Sequence, residues 1–321
     1  MTDLYRQQVL AETSSARGIR DTFLLWREKA EEDPAKRVGE DPGGRISFYK
    51  AILRESIQQM EDDLGVSLAG LPAVISGMAS SSAGMMELPY ARIPFPIDGQ
   101  HIVTEYLDAG HDFPYPILLI SGVRSENDVM RGEETQLMGC LEDDGLYIFP
   151  GTHSKHILVK DRSIVDFSTY MTGEFFGLLS EKSLLSGSVE RDDDLGEGIH
   201  LECFRSGVRE AVGANLLRAA FQVRARQLFG VLSRKENFHY LSGLLIGTEL
   251  QAIAETPGKI YLCCGAGMND YYEKALAVLD LCERVHIFPA DWVDAAVVRG
   301  QCRIWGRCGK DSITGQQPDV K

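Results

Sequence analysis

The sequence predicts an α/β protein of two domains, and three observations carry that expectation. The chain has 321 residues, which at roughly 150 residues per domain suggests about two. Hydrophobic residues make up 44% and charged residues 25%, enough apolar side chain to bury a core. Short apolar runs end in Gly-containing loops ahead of helical text, the pattern of open α/β sheets whose ligands sit beyond the strand ends.

The elements follow in order. Residues 18–29 (GIRDTFLLWREK) suit a turn and an amphipathic helix, and a polar loop rich in Asp, Glu, Gly and Pro runs from Glu31 to Arg45. SFYKAILRESIQQMEDDLG then spaces Phe48, Ile52 and Ile57 near one helical face, with Gly65 as its stop. Ala73–Ser76 reads as a buried strand, followed by a permissive loop of Gly77 and the small residues Ala79–Gly84. ILLISGV, residues 117–123, reads as a second strand. A helix begins at Glu133, and the domain boundary is expected near Gly145, giving domains 1–144 and 145–321.

The second half opens with LYIFPGTHSKHILVKDRSIVDFSTYMTGEFF, a hairpin with a Gly-Thr turn, then a strand and a helix. Arg209–Ala254 is strongly helical. IYLCCGAGMNDYYEKALAVLD gives strand, Gly-rich turn and helix, and RVHIFPADWVDAAVVRGQCRIW gives strand, loop and helix. The tail after Trp305 is polar and expected to fray.

The formal net charge of -14 argues against a nucleic-acid-binding face, which must be basic, and against anionic membranes. The seven cysteines include no C-x-x-C pair, so neither a disulfide framework nor a structural zinc site is expected. Most are expected to be small core residues. No apolar run reaches the roughly 18 residues that span a bilayer, and the opening residues lack a signal-peptide core. The expected location is a reducing cytoplasm.

Three motifs carry chemistry. In NDVMRGEETQLMG, Glu133 and Glu134 follow a glycine at a helix start. Acids there are stabilised by the helix dipole by a few tenths to about 1 kcal/mol, which alone accounts for them. One of them is otherwise a candidate catalytic base. Neighbouring helix positions point about 100° apart, so one acid at most faces a given site. In FPGTHSKH, the turn at Gly151 and Thr152 is either an ordinary hairpin turn or a phosphate cradle of backbone N–H groups and a hydroxyl, with Lys155 adding charge. His153 and His156 lack a third ligand at zinc-like spacing. In CGAGMND, Gly265 and Gly267 make a G-x-G turn without the full dinucleotide fingerprint. Such a turn still lets a nucleotide approach the backbone. The P-loop and hydrolase-elbow patterns are absent from the sequence.

Taken in order, VMRGEETQLMG, LYIFPGTHSKHI, VDFSTYMTGEFFGLL, LSGLLIGTEL and GMASSSAG with its following PY resemble the 2-dehydro-3-deoxygalactonokinase family. That family belongs to the sugar kinases of the actin-like ATPase superfamily. The resemblance runs from about residue 8 to residue 300. It implies two ribonuclease-H-like lobes, an N-terminal sugar-binding lobe and a C-terminal nucleotide-binding lobe, with ATP and the sugar acid in the cleft between them. The implied reaction is ATP-dependent phosphorylation of the 6-hydroxyl of 2-dehydro-3-deoxy-D-galactonate in galactonate catabolism, with Mg2+ accompanying ATP. Another sugar acid as substrate, or a non-catalytic relative, are the alternatives.

The resemblance also implies roles. Glu133 falls where related kinases carry the acid that deprotonates the substrate hydroxyl. Gly77, Met78, Ser80 and Ser81 fall where the sugar is held. Arg124 or Arg131 is the expected partner of the sugar-acid carboxylate. Gly151 and Thr152 resemble the second phosphate loop, with Lys155 beside it, and Gly265, Gly267 and Asn269 the turn beside the adenosine. A homodimer is a further expectation. The superfamily's Asp-x-Gly-Thr/Ser turn does not occur in this sequence. Residues Val9–Ile19 look like the text that normally follows it, so the first hairpin of the N-terminal lobe is expected to be missing from this chain.

Overall fold

The computed structural model describes residues 1–3, 8–15, 17–32, 42–196, 198–253, 256–265 and 267–309. The middle of the expected polar loop, residue 266 of the G-x-G turn, and the tail beyond residue 309 lie outside them.

In chain order the first elements are β1 (Thr2–Asp3), β2 (Gln8–Val9), α1 (Ile19–Glu32) and α2 (Pro42–Leu64). Then come β3 (Ala73–Ile75), β4 (Ala91–Arg92), β5 (Phe95–Pro96), β6 (Thr104–Leu107) and β7 (Ile117–Ile120). β8 (Val123–Arg124), β9 (Val129–Met130) and α3 (Glu133–Cys140) follow. Next are β10 (Gly145–Phe149), β11 (Ser154–Lys160), β12 (Ser163–Tyr170) and α4 (Thr172–Gly177). The helices α5 (Ile199–Ala211), α6 (Leu216–Leu228) and α7 (Arg234–Leu250) precede β13 (Ile260–Leu262) and α8 (Asn269–Val278). The chain continues through β14 (Val285–Ile287), α9 (Ala290–Asp294) and α10 (Ala296–Ile304).

The chain divides into two compact units, Met1–Glu142 with Arg162–Val165 and Ala295–Lys321, and Asp143–Asp161 with Asp166–Asp294. The first crossing lies close to the expected boundary. The assignment of all residues after 145 to one domain needs correction, because the last helix belongs to the first unit. The reason is packing: α10 lies against α3, with glycines at the crossing. A Cβ on Gly139 would stand 1.8 Å from the Ala296 carbonyl oxygen, and one on Gly300 would stand 1.9 Å from that of Thr135. Arg299 Nε donates to the Gly139 carbonyl at 3.0 Å and Arg303 Nη1 to that of Met138. Two cations thus satisfy the last-turn carbonyls of α3 and offset its dipole.

In the first unit β3 pairs parallel, and β6 antiparallel, with β7. Ile117, Leu118, Leu119 and Ile120 of β7 are all fully buried, each contributing roughly 1.5–3 kcal/mol. That explains an unbroken apolar run, since a strand covered on both faces has no polar side to alternate with. β7 ends at Ile120 and Val123 joins a second small sheet with β4 and β9, so the expected single strand over 117–123 is two. Tyr49 of α2 is buried against Met85, Phe113 and Ile117, with Phe48, Leu53, Ile57 and Met60 packed behind it. α2 starts at Pro42, inside the expected polar loop, because proline suits a first helical turn.

In the second unit the neighbouring strands run β14-β13-β10-β11-β12. β10 is antiparallel to β11 and parallel to β13, which is parallel to β14. Numbered within the unit, this is the order 5-4-1-2-3. Phe204 and Val208 of α5, Ile246 and Leu250 of α7 and Tyr272 of α8 cover Ile148, Ile260 and Leu262. α5 and α7 also cross on glycines, with a Cβ on Gly243 falling 2.0 Å from the Phe204 carbonyl oxygen. Among the cysteines, Cys140, Cys203, Cys263 and Cys264 are buried, as expected of core residues, whereas Cys282 is exposed. No helix among the described residues is long and apolar enough to cross a membrane.

Candidate functional site

Two candidate sites emerge, one in each unit. In the first, Gly77 follows β3 and Gly132 precedes α3, both with positive φ, +81° and +114°. A Cβ on Gly132 would lie 3.2 Å from the Gly77 Cα. Glycine at both positions thus brings the loop after β3 onto the start of α3. Gly77, Met78, Ser80, Ser81, Arg131 and Glu133 are thereby gathered from two stretches about fifty residues apart.

Within this corner the residues divide by exposure. Met78 is exposed, whereas Ser80 and Ser81 are buried. Ser80 Oγ donates to the Ile120 carbonyl at 2.7 Å and accepts from Arg131 Nη1 at 2.6 Å. Ser81 Oγ donates to the Met78 carbonyl at 2.7 Å. Arg131 also donates to the carbonyls of Ser80 and, at 3.3 Å, Leu88, and lies 4.1 Å over the Tyr90 ring. Its guanidinium is therefore engaged in holding the 80–90 loop through Nη1 and Nη2, while its buried Nε has no hydrogen-bond partner among the described residues. Arg124, half-buried on β8, donates Nε to the Ser125 carbonyl at 3.0 Å.

The two acids differ sharply. Glu133 is half-buried, and its Oε2 accepts the Arg131 backbone N–H at 3.1 Å. Glu134 is fully buried. Its carboxyl accepts the Gly132 N–H at 2.8 Å and the Thr135 hydroxyl at 2.9 Å. Burial pushes Glu134 up from 4.5 to about 7, against the lowering effect of these hydrogen bonds. Glu134 is thus a buried brace of the Gly132 turn and not a solvent-facing dipole acid.

A pH prediction follows. With its folded value above its unfolded one, Glu134 favours folding fully below about 4.5, and that contribution is lost as pH rises to about 7. The difference amounts to about 3 kcal/mol. The stability of the wild type relative to Glu134→Gln is expected to fall by that order between these pH values, measured as paired thermal or urea midpoints. A pH-independent difference would remove this assignment.

The second unit builds its site on the β10–β11 hairpin, where Phe149 pairs with Lys155 and leaves Gly151 and Thr152 at the turn. Gly173 of α4 packs on this turn, since a Cβ there would lie 2.7 Å from the Gly151 carbonyl oxygen. The Glu174 N–H donates to the Thr152 carbonyl at 3.1 Å, and His153 bonds Glu174 at 2.5 Å. Lys155 is 4% exposed, and its Nζ donates to the His153 carbonyl at 3.1 Å. Lys155 therefore braces the turn from inside.

Beneath the turn lies a buried network centred on Glu249 of α7. Its carboxylate accepts from His156 Nε2 at 2.9 Å, the Tyr272 hydroxyl at 2.8 Å and the Thr172 hydroxyl. Ser154 Oγ stands 3.2 Å from the Tyr272 oxygen. Burial, then the Glu249 charge, holds the Tyr272 phenol well above its ordinary value. The network ties β11, α4, α7 and α8 together, and it explains why His156 is a structural group.

Above the network opens a cavity of about 410 Å³, bordered by Gly151, Gly173, Phe176, Phe238, Gly267 and Tyr271. It joins the Gly-Thr turn to the Gly-rich turn before α8. Gly267 has φ +92°, and the buried Asn269 Oδ1 has no hydrogen-bond partner among the described residues. Gly265 and Asn269 flank the same turn without bordering the cavity, and Thr152 is exposed beside it. A larger cavity of about 760 Å³ has a mixed-charge wall, with Asp193, Asp194 and Asp270 beside Arg205 and Lys274. The smaller one suits a flat aromatic base with its anionic end at glycine N–H groups. The sequence reading missed its aromatic walls, Phe176, Phe238 and Tyr271. The only signal for them was that two lie in the conspicuous stretches TGEFFG and NDYYEK.

The sequence matches the 2-keto-3-deoxy-galactonokinase family over residues 5–304. A 2-dehydro-3-deoxygalactonokinase of Escherichia coli (strain K12) is 32% identical over 216 residues, 65% of this chain and 71% of that protein. A Rhizobium meliloti (strain 1021) protein named as a probable 2-dehydro-3-deoxygalactonokinase is 34% identical over 221 residues, 65% of this chain and 71% of its own length. A crystal structure described as a candidate 2-dehydro-3-deoxygalactonokinase from Sinorhizobium meliloti aligns with a TM-score of 0.72 at 26% identity, covering 98% of this chain and 92% of that one. With a match from residue 5 to residue 304, the chain belongs to the 2-keto-3-deoxy-galactonokinase family.

Proposed function

We propose that this chain transfers the γ-phosphoryl group of ATP to the 6-hydroxyl of 2-dehydro-3-deoxy-D-galactonate, a step of galactonate catabolism. The observation that carries the reading is the family match over residues 5–304, with relatives named for that activity. We further infer that the second unit is a ribonuclease-H-like lobe. Its support is the strand order 5-4-1-2-3, with the first three neighbours formed by hairpins and the last two strands parallel.

Phosphoryl transfer needs alignment and charge neutralisation more than covalent work by the protein. Glu133 takes the proton from the attacking 6-hydroxyl. Gly77 and Met78 line the sugar acid, with Ser80, Ser81 and Arg131 fixing their loop. Arg124 pairs with the substrate carboxylate, because Nη1 and Nη2 of Arg131 already hold the 80–90 loop. The N–H of Gly151 and the hydroxyl of Thr152 hold phosphate oxygens, while Gly265, Gly267 and Asn269 shape the turn beside the adenosine. Mg2+ accompanies the nucleotide in this reading. Two acids beside the Gly-Thr hairpin are already engaged, Glu174 with His153 and Glu249 with His156, Thr172 and Tyr272. No step is therefore assigned to the metal.

An ATP-coupled assay across a panel of sugar acids tests the reading. Turnover is expected with 2-dehydro-3-deoxy-D-galactonate and not with its unrelated neighbours. Turnover confined to another acid would change the substrate, and binding without turnover would leave a non-catalytic relative. A cytoplasmic location is part of the proposal, since the proposed reaction consumes ATP. A homodimer is also part of it, supported by the exposed apolar face of Leu217, Phe221 and Leu228 on α6, with Phe229 beside it. A single-chain mass by light scattering would remove that element.

A further inference from the structure

Outside both candidate sites, three potential ligands converge in the second unit. Asp192 lies on the segment after Glu190, His200 in the first turn of α5, and His239 on α7. One ligand atom from each lies within 4.8 Å of the others. We propose that Asp192, His200 and His239 form a binding site for a divalent ion of the zinc class.

The observation that points to a ligand is His239. Its side chain is fully buried, and neither ring nitrogen has a hydrogen-bond partner among the described residues. A buried imidazole left without partners is destabilising, and a metal bond at Nε2 removes the part of that cost that falls on this nitrogen. Nε2 already points toward Asp192, 3.9 Å from Oδ1. The His200 ring stacks on it, with centroids 4.6 Å apart.

The surroundings are arranged as ligand supports. His200 Nδ1 lies 3.1 Å from the Asp194 carbonyl oxygen. Donation there fixes the tautomer that leaves the Nε2 lone pair for a metal. The Asp194 N–H donates to Asp192 Oδ1 at 3.0 Å, and Lys235 Nζ lies 3.4 Å from Asp192 Oδ2. Both orient the carboxylate. Donors on a tetrahedral ion at about 2.0–2.1 Å stand roughly 3.4 Å apart, so the group, whose atoms lie within 4.8 Å of one another, closes on an ion with a contraction of at most about 1.4 Å. Two imidazoles and one carboxylate favour Zn2+, Co2+ or Ni2+ over Mg2+ or Ca2+, which prefer oxygen. Three protein ligands leave a position for water. Asp193, adjacent to Asp192, borders both cavities of this unit, as does Tyr271, whose ring lies parallel to that of His239. An ion here would pin the cavity wall to α5 and α7.

The test uses the full chain, dialysed against chelator and titrated with Co2+ and then Zn2+. The expected result is one ion per chain, with the intense visible bands of four-coordinate Co2+ lost on Zn2+ addition. His200→Asn and Asp192→Asn are expected to weaken binding at least tenfold while keeping the wild-type circular dichroism. His239→Gln perturbs a buried position, so the half-buried His200 and Asp192 variants keep the test decisive. Zn2+ is also expected to raise the thermal midpoint of the wild type and not of His200→Asn. Absence of stoichiometric uptake, or unchanged uptake in both His200→Asn and Asp192→Asn, overturns the proposal.

Discussion

Glu133→Gln is expected to lower kcat by about 10²–10⁴-fold, the usual contribution of a positioned general base, while ATP affinity stays within a factor of a few. The substitution is conservative where it matters for folding. The Glu133 carboxylate accepts the Arg131 backbone N–H, and a glutamine carbonyl oxygen accepts the same bond. What it loses is the capacity to take a proton. Activity within a few-fold of wild type would end the assignment of Glu133 as the base. Glu134→Gln provides the contrast, because a fully buried carboxyl bonded to Gly132 and Thr135 acts on the turn and its stability, not on a substrate proton.

Gly300→Ala is expected to destabilise the first unit and reduce turnover together. The added methyl would sit 1.9 Å from the Thr135 carbonyl oxygen, and neither helix backbone can yield as a flexible side chain would. α10 must move away from α3, loosening the Arg299 and Arg303 bonds to its last turn. Overpacking of this kind costs about 1–3 kcal/mol, and a backbone clash belongs at the upper end. For a unit of this size that corresponds to a fall of roughly 6–12 °C in Tm. Because α3 begins at Glu133, the same shift displaces the proposed base. Gly306→Ala is the control: a Cβ there meets nothing within 4 Å, so its Tm is expected to stay near wild type, as at most surface positions. Equal Tm values for the two variants would contradict the close crossing.

What was legible in the sequence was local. The Gly-Thr hairpin turn, the strand at Ala73, and the strand–turn–helix units around Gly267 and Pro289 follow from apolar runs punctuated by glycine and proline, and the structure has them there. What was not legible depends on partners distant along the chain. Glu133 and Glu134 are adjacent acids in one helix turn, and nothing in that text says that one is fully buried. Lys155 and Arg131 read as available charges, yet each is spent on backbone carbonyls, at His153 and at Ser80 and Leu88. Glu249 reads as an ordinary helix acid, although its partners His156, Thr172 and Tyr272 lie 93, 77 and 23 residues away. The return of α10 to the first unit was hidden for the same reason, since Gly139 and Gly300 have meaning only as a pair.

Phosphorus NMR of the reaction mixture observes the transfer itself. With the wild-type chain, ATP, Mg2+ and 2-dehydro-3-deoxy-D-galactonate, one new phosphomonoester is expected, coupled to the protons on carbon 6 and growing as ADP forms. The signal should be absent with Glu133→Gln. Inorganic phosphate without an ester, or an ester on a different hydroxyl, would contradict the account.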